Sequence, residues 1–294
     1  MKKAPFTGSG VAIITPFDGY TTNYDALGEI IEDQIKNDTD AIIICGTTGE
    51  ASTMPDAEHL AAIKFAVEKV NGRIPVIAGT GSNDTQHAIY LSQEAEKYGV
   101  DGILTVTPYY NKTSPHGLVK HFSAIAESVS VPVILYNVPS RTGMSISLDV
   151  LKELVKIPNI VGIKEASGDI SFAAKIAAEI PELNIYSGND DMIVPMLSLG
   201  SKGVISVLAN VMPKETHDMC QFYFDGNVDE AKDLQLNLLN LINLLFIEVN
   251  PVPVKTAMGL MGYNVGNLRA PLCEMTDAHI EALKNEMINL GLIK

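Results

Sequence analysis

A repeated unit of a short β-branched run, a turn rich in Gly, Thr, Ser and Pro, and a longer amphipathic stretch dominates this sequence. The runs lie roughly 20 to 35 residues apart, a spacing typical of βαβ units, at residues 11–15, 41–45, 75–78, 102–106, 133–136, 160–164, 184–186 and 203–207. Near-continuous apolar runs suit parallel strands that are covered on both faces. Strands that alternate with helices favour an α/β fold, a (β/α)8 (TIM) barrel rather than an open sheet. The first run is followed by no Gly-x-Gly-x-x-Gly motif, which a dinucleotide-binding open sheet would carry.

The stretches between the runs place apolar residues at helical spacing. They predict helices at 56–70, 84–98, 148–155 and 170–180, and a long helix at 229–248 that stops at Asn250-Pro251-Val252-Pro253. We expect two parts, a barrel with the active site at 1–212 and a C-terminal α-helical segment packed on it at 213–294. The apolar face of the long helix predicts packing inside the chain, with a contribution to oligomerisation as the alternative.

Charge and composition exclude several classes of function. The 21 Lys and Arg against 35 Asp and Glu give a net charge of −14, and no basic cluster appears that would bind nucleic acid or anchor the chain to a membrane. No run reaches the roughly 18 apolar residues of a membrane span, and the start of the chain lacks the apolar core of a signal peptide. We therefore expect a cytoplasmic protein that binds neither nucleic acid nor membrane.

Cysteine and histidine spacing indicates neither a disulfide framework nor a metal site. Cys45, Cys220 and Cys273 are odd in number and far apart, which predicts reduced, buried thiols. The six histidines include no His-x-His or His-Glu-x-x-His pair, so a metal-assisted hydrolase would lack its ligands. His59 and His87 fall on helical stretches and are predicted to be surface or interface residues.

Lys164 is the strongest candidate for chemistry, because it ends a predicted strand and barrel active sites form at the carboxyl ends of strands. Desolvation can lower the pKa of a lysine by several units and produce an amine nucleophile for a carbonyl carbon. The alternative is a structural ion pair with Glu165 or Asp190. Tyr136 ends the neighbouring strand and could pass protons to and from a carbinolamine, or it could be a packed ring.

Two further features could bind carboxylates. The turn at 46–49 presents backbone N–H groups and the hydroxyls of Thr47 and Thr48, although it could also be an ordinary turn with a helix cap. Arg141 could hold a carboxylate in a bidentate fork, or it could be a solvated loop residue. The Gly-Thr-Gly-Ser segment at 79–82 lacks the continuation of a phosphate-binding loop, and a plain turn is the better interpretation.

Four motifs together resemble the dihydrodipicolinate synthase family, which belongs to the N-acetylneuraminate lyase superfamily of Schiff-base aldolases. The resemblance extends from about residue 8 to the C-terminus. It rests on Gly46-Thr47-Thr48-Gly49-Glu50, Val106-Thr107-Pro108-Tyr109-Tyr110, Tyr136-Asn137-Val138-Pro139-Ser140-Arg141-Thr142-Gly143 and Gly162-Ile163-Lys164-Glu165-Ala166.

This resemblance implies the condensation of pyruvate with L-aspartate 4-semialdehyde in lysine and diaminopimelate biosynthesis. It implies a Schiff base on Lys164 and a proton relay of Tyr136, Thr48 and Tyr110, with Tyr110 supplied by a neighbouring subunit. The implied substrate-binding residues are Thr47, Thr48, Arg141, Gly188 and Ile205. The family is typically a homotetramer of tight dimers and needs no organic cofactor or metal.

Two other functions stay open on the sequence. A Schiff-base lyase acting on N-acetylneuraminate or a 2-keto-3-deoxy sugar acid resembles the chain at Lys164 and Tyr136, but such lyases usually lack the Ser-Arg-Thr-Gly run that contains Arg141. A non-catalytic small-acid-binding protein would be expected to have lost Lys164 or Tyr136, and both are present.

Feedback inhibition by lysine transfers poorly from the family. The resemblance places a possible allosteric site at Ala51, Ser52, His59, Asn83, His87 and Tyr109. Ala51 replaces a usual Ser, Asp56 a usual His, and His87 a usual Glu whose carboxylate would pair with the ammonium group of lysine. We expect weak inhibition by lysine or none.

Overall fold

Eight parallel strands close into a barrel in the computed structural model, which describes residues 2–294. A short antiparallel pair, β2 (Phe17–Asp18) and β3 (Thr21–Thr22), lies outside the barrel. The barrel strands are β1 (Gly8–Ala12), β4 (Ala41–Ile44), β5 (Val76–Gly79), β6 (Gly102–Val106), β7 (Val133–Asn137), β8 (Ile160–Glu165), β9 (Asn184–Ser187) and β10 (Gly203–Ser206).

The strands follow one another around the barrel in chain order, and β10 pairs with β1 to close it. The register sets Tyr136 on β7 opposite Lys164 on β8, and Lys164 opposite Tyr186 on β9. The (β/α)8 barrel predicted from the sequence is therefore confirmed.

Helices cover the outside of the barrel. Several begin at a polar side chain that accepts a hydrogen bond from a free backbone N–H of the first turn, as Asn23, Ser114 and Ser147 do. The helices of the barrel region are α1 (Tyr24–Lys36), α2 (Asp56–Val70), α3 (Thr85–Lys97), α4 (Pro115–Glu127), α5 (Pro139–Thr142), α6 (Leu148–Leu154), α7 (Ile170–Glu179) and α8 (Ile193–Ser198).

The barrel interior is a packed core rather than a channel. Its buried cluster includes Ile43, Ile77, Tyr136 and Ile205. Phe6, which precedes β1, stacks on Tyr186 with ring centroids 4.5 Å apart, and the Tyr186 hydroxyl donates to the Phe6 carbonyl at 2.7 Å. The lower part of the barrel is thus filled, and the carboxyl ends of the strands are left to form the site.

The first strand is the main error in the strand predictions. It was expected at 11–15 and lies at Gly8–Ala12, whereas the other seven agree within one residue at each end. Residues 8–10 read Gly-Ser-Gly, a composition with low β propensity, so the β-branched run after them carried the prediction. Backbone pairing of Gly8 with Gly203 nevertheless starts the strand there.

The C-terminal region also differs from its prediction. The expected long helix at 229–248 is two helices with a break at Leu238, because the three asparagines at 237, 240 and 243 weaken helix formation. Its buried leucines pack inside the chain, but Phe246 is exposed. The helices after β10 are α9 (Pro213–Phe224), α10 (Val228–Asn237), α11 (Leu239–Leu244), α12 (Val252–Leu260) and α13 (Asp277–Asn289).

α9 contacts β1 and β10 and so takes the place of the helix that follows the eighth strand. The division into 1–212 and 213–294 stays a proposal about chain organisation.

The cysteine prediction holds for two of three residues. Cys45 and Cys220 are buried free thiols, whereas Cys273 is exposed, because it lies in an irregular segment between α12 and α13. In residues 2–294 we find no helix of the length and apolarity that crossing a membrane requires.

Candidate active site

A cavity of about 730 Å³ opens at the carboxyl ends of the barrel strands. Its wall comes from the turns after several strands and from the segment between α11 and α12. Six of the residues predicted from the sequence line it together: Thr47, Thr48, Tyr136, Arg141, Lys164 and Gly188.

Lys164 is held inside the barrel wall, with only 6% of its surface exposed. Its Nζ lies 4.5 Å from the centre of the Tyr136 ring. Within residues 2–294, no carboxylate lies within ion-pair distance of this amine. The structural ion pair with Glu165 or Asp190 is therefore not formed, and the amine stands free at the base of the cavity.

Each of the two carboxylates near Lys164 accepts hydrogen bonds from other donors, although Asp190 Oδ1 has no partner among residues 2–294. Glu165 accepts hydrogen bonds from Asn137 Nδ2 at 2.8 Å and from the Ser167 backbone N–H at 2.7 Å. Asp190 Oδ2 accepts from the backbone N–H groups of residues 207 and 208. Burial raises the pKa of both carboxyls, and for Asp190 the charge of Lys164 opposes the rise. These groups fix the neighbouring turns rather than neutralise the lysine.

Gly188 makes room for the lysine chain. A Cβ added at this position would lie 2.5 Å from the Ala166 Cβ and 3.1 Å from the Lys164 Cε. Any side chain at 188 would therefore press on the stem of Lys164, which gives a physical reason for glycine at this point of the wall.

The turn at 46–50 places Thr47 and Thr48 at the cavity. The backbone is left-handed at Cys45 (φ 56°) and at Glu50 (φ 54°), so the chain bends sharply at both ends of the turn. Thr15 Oγ1 donates to the Gly49 carbonyl at 2.8 Å and holds the turn from below. Thr48 is buried, and its Oγ1 accepts a hydrogen bond from Asn250 Nδ2 at 3.0 Å.

Arg141 lies on the four-residue helix α5, which follows β7, and is exposed at the cavity rim. Its NH2 donates to the Asn250 backbone carbonyl at 3.1 Å. The rest of the guanidinium remains available to an anion in the cavity. The structure thus places Arg141 in the site and not on an unrelated loop.

Two predicted site residues do not line the cavity of a single chain. Tyr110 is 93% exposed, with a left-handed backbone (φ 69°) that turns it outward. Ile205 is buried in the barrel interior beside Tyr136.

The predicted allosteric set extends from the same cavity. Ala51, Ser52, His59, His87 and Tyr109 line it, whereas Asn83 does not. His87 Nε2 lies 2.9 Å from Asp56 Oδ1, so two of the three residues that depart from the family pattern pair with each other.

His59 was predicted to be a surface or interface residue, and the surface alternative is wrong. It is buried, because α2 packs on α3 and β5, and its Nε2 bonds the Gly79 carbonyl at 2.8 Å. Burial lowers the pKa of His59 and favours the neutral ring.

Sequence reasoning missed Asn250, which contacts both Thr48 and Arg141. The only signal was its place in the Asn-Pro-Val-Pro stop, which was interpreted as the end of a helix. It also missed a buried ion pair between Lys255 and Glu50 at 2.9 Å, which joins the C-terminal segment to the 46–50 turn.

Across residues 2–294, no group of three or more His, Cys, Asp or Glu is arranged to hold a metal ion.

Comparisons with known proteins agree with this geometry. Residues 5–289 match the model of the dihydrodipicolinate synthetase family. The chain belongs to this family. It is 59% identical over 294 residues to the 4-hydroxy-tetrahydrodipicolinate synthase of Acetivibrio thermocellus, and the match covers 100% of both chains. It is 58% identical to the synthase of Clostridium tetani, over 98% of this chain and 99% of the other.

Solved structures of the dihydrodipicolinate synthetase family give the same answer. The crystal structure of dihydrodipicolinate synthase from Aquifex aeolicus superimposes with a TM-score of 0.96 at 42% identity, covering 98% of this chain and 99% of that one. The expectation of a synthase, rather than a sialic acid or sugar-acid lyase, is confirmed. The chain is a biosynthetic lyase-class enzyme with small-molecule substrates.

Proposed function

We propose that the chain condenses pyruvate with L-aspartate 4-semialdehyde through a Schiff base on Lys164. The observation that carries this assignment is the buried Lys164 amine, which has no carboxylate within ion-pair distance among residues 2–294 and faces the cavity beside Tyr136. A lysine needed only for structure would be expected to use the nearby Glu165 or Asp190.

The first half of the reaction forms a nucleophile from pyruvate. The Lys164 amine adds to the carbonyl carbon, and the oxygen leaves as water to give an iminium ion. Loss of a proton from the methyl carbon then gives an enamine. We assign proton transfer in these steps to the hydroxyls of Tyr136 and Thr48, which line the same cavity. Thr47 and the backbone N–H groups of its turn orient the carboxylate of pyruvate.

The second half joins the two substrates. The enamine carbon attacks the aldehyde carbon of the semialdehyde, whose carboxylate binds Arg141 in a bidentate fork. The aldehyde oxygen takes up a proton as the carbon–carbon bond forms. The α-ammonium group of the added substrate then gives up a proton, and the resulting amine attacks the former carbonyl carbon of pyruvate. A proton passes to the Lys164 nitrogen, which leaves as an amine, and the ring is closed. Gly188 shapes the pocket around these intermediates, and Ile205 supports it from the barrel interior, where it packs beside Tyr136.

We also propose a homotetramer of tight dimers, in which Tyr110 completes the proton relay of a neighbouring subunit. Its 93% exposure and its absence from the cavity of its own chain support this role. We place the enzyme in the cytoplasm, and we assign the carbonyl chemistry to the lysine alone, with no metal or organic cofactor. Full activity after dialysis against a chelator is the expected result for this assignment.

Borohydride reduction in the presence of pyruvate tests the Schiff base. We expect a stable adduct, located on Lys164 by peptide mass spectrometry, and none in Lys164→Arg, which keeps the charge but not the nucleophile. An unmodified Lys164 in the wild-type protein would refute the proposal. Formation of the cyclic product, followed by coupling to its reductase with L-aspartate 4-semialdehyde as acceptor, tests the second substrate.

A further inference from the structure

Asn250 is the point where the C-terminal segment enters the active site. It lies between α11 and α12, is only 6% exposed and lines the cavity. It contacts the two residues assigned to different tasks, Thr48 in proton transfer and Arg141 in carboxylate binding. No part of the mechanism above uses its side chain.

The contacts of Asn250 leave one atom without a partner. Its Nδ2 donates to Thr48 Oγ1 at 3.0 Å, and its backbone carbonyl accepts from Arg141 at 3.1 Å. The side-chain oxygen Oδ1 is buried and has no hydrogen-bond partner within residues 2–294. Buried amide oxygens are rarely left in this state, because removal from water without a new donor is unfavourable.

The chemistry of this atom defines what can satisfy it. An amide oxygen only accepts hydrogen bonds, so a carboxylate or a keto oxygen of the substrates cannot partner it. Pyruvate offers no N–H donor. L-Aspartate 4-semialdehyde carries an ammonium group on the same carbon as its carboxylate, and Arg141 lies directly beside Asn250.

We propose that Asn250 Oδ1 accepts a hydrogen bond from the α-ammonium group of the semialdehyde while Arg141 holds its α-carboxylate. Asn250 and Arg141 then form a binding pair for the head of an α-amino acid. The bond from Nδ2 to Thr48 fixes the plane of the amide and points Oδ1 away from Thr48. This inference rests on the proposed function, whose second substrate it specifies.

A consequence is selection of one enantiomer. The carboxylate is fixed at Arg141, the ammonium at Asn250 and the aldehyde at the enamine on Lys164, which makes three points of attachment around one chiral carbon. The mirror-image substrate can satisfy two of them only.

The test compares two analogues of the semialdehyde that lack the aldehyde and differ from each other only in the ammonium group. L-2-Aminobutyrate has a methyl group in place of the aldehyde, and butyrate lacks the ammonium group as well. Dissociation constants for pyruvate-loaded enzyme are measured by isothermal titration calorimetry. We expect the wild-type enzyme to bind L-2-aminobutyrate at least about tenfold more tightly than butyrate, as for one hydrogen bond to a charged group.

Two variants separate recognition from support of the site. In Asn250→Ala the preference for L-2-aminobutyrate should fall to within about twofold of unity, whereas Asn250→Asp keeps an acceptor and should retain it. If both ligands weaken equally in Asn250→Ala, Asn250 only supports Thr48 and Arg141, and the inference is wrong. A wild-type enzyme without the preference also overturns it, whether or not the variants fold.

The borohydride adduct with pyruvate keeps the two proposals apart. Asn250 hydrogen-bonds Thr48 and Arg141 but neither Lys164 nor Tyr136 among residues 2–294, so we expect Asn250→Ala still to form the adduct on Lys164, if more slowly. No adduct in the wild-type enzyme would overturn the proposed function. A normal adduct without ligand preference would overturn only the role of Asn250.

Discussion

The buried ion pair between Lys255 and Glu50 allows the contribution of the C-terminal segment to be measured. Lys255 Nζ donates to Glu50 Oε1 at 2.9 Å, to the Asn267 carbonyl at 2.8 Å and to the Thr15 carbonyl at 3.1 Å. Both side chains are almost fully buried, at 3% and 1% exposure. The substitution Lys255→Met keeps most of the side-chain volume and removes the charge and all three hydrogen bonds.

The expected loss in free energy of unfolding follows from the state of Glu50 after the substitution. Glu50 keeps only the Arg269 backbone N–H on its other oxygen, so a buried carboxylate loses its counter-charge. Removing one partner of a buried pair typically costs about 3–5 kcal/mol. At about 2–3 °C per kcal/mol for a chain of this length, the Tm should fall by about 6–15 °C. Because Glu50 ends the turn that carries Thr47 and Thr48, kcat should fall as well.

Urea unfolding at one fixed protein concentration measures the cost, with Lys156→Met as the matched control. Lys156 pairs with Glu153 on the surface, and the control should cost less than about 0.5 kcal/mol. The double variant Lys255→Met with Glu50→Gln removes both charges and should be destabilised by at least about 2 kcal/mol less than the sum of the single variants. A loss below about 1 kcal/mol for Lys255→Met, or strict additivity in the double variant, would refute the reasoning.

Three further outcomes follow from the site. Tyr136→Phe keeps the ring beside Lys164 and should lower kcat by about 10²–10⁴-fold, as for loss of a general acid–base group. Borohydride should still trap pyruvate on Lys164 in this variant, and loss of trapping would contradict the prediction. Arg141→Lys removes the planar fork and should raise the KM of the semialdehyde by about tenfold or more, with the KM of pyruvate unchanged in steady-state kinetics. His87 replaces the glutamate that would bind the ammonium group of lysine, and it pairs with Asp56 instead. A titration with L-lysine should therefore show no half-inhibition below about 1 mM, a concentration that corresponds to roughly 4 kcal/mol of binding free energy.

The barrel could be predicted because its signal is local and repeated. The apolar runs that form β4 and β6 are continuous, which indicates strands buried on both faces. Eight such runs alternating with helices are compatible with few architectures other than a barrel. Where the local signal is weak the prediction failed, because Gly8, Ser9 and Gly10 form a strand by pairing with Gly203 and its neighbours. That pairing joins residues almost 200 positions apart, which no short window of sequence contains.

In the site too, residues marked by their own sequence neighbours could be predicted, and residues placed by distant contacts could not. Lys164 and Tyr136 were identified because each ends its own strand, and the register then sets them opposite each other. The contact of Asn250 with Thr48 spans 202 residues, and its sequence neighbours signal only a helix end. The burial of His59 likewise depends on which helix packs against it, which the spacing of apolar residues on α2 did not reveal.

The C-terminal segment reaches the active site through polar contacts that apolar packing alone would not provide. Gln235 donates to the Asp190 carbonyl at 2.9 Å, Asn250 donates to Thr48 and Lys255 donates to Glu50. Directional contacts of this kind are formed only when the groups are placed to within a few tenths of an ångström. The segment therefore does more than cover the barrel, because it fixes the turns after β4 and β9. We infer that substitutions in these contacts will alter catalysis before they unfold the protein.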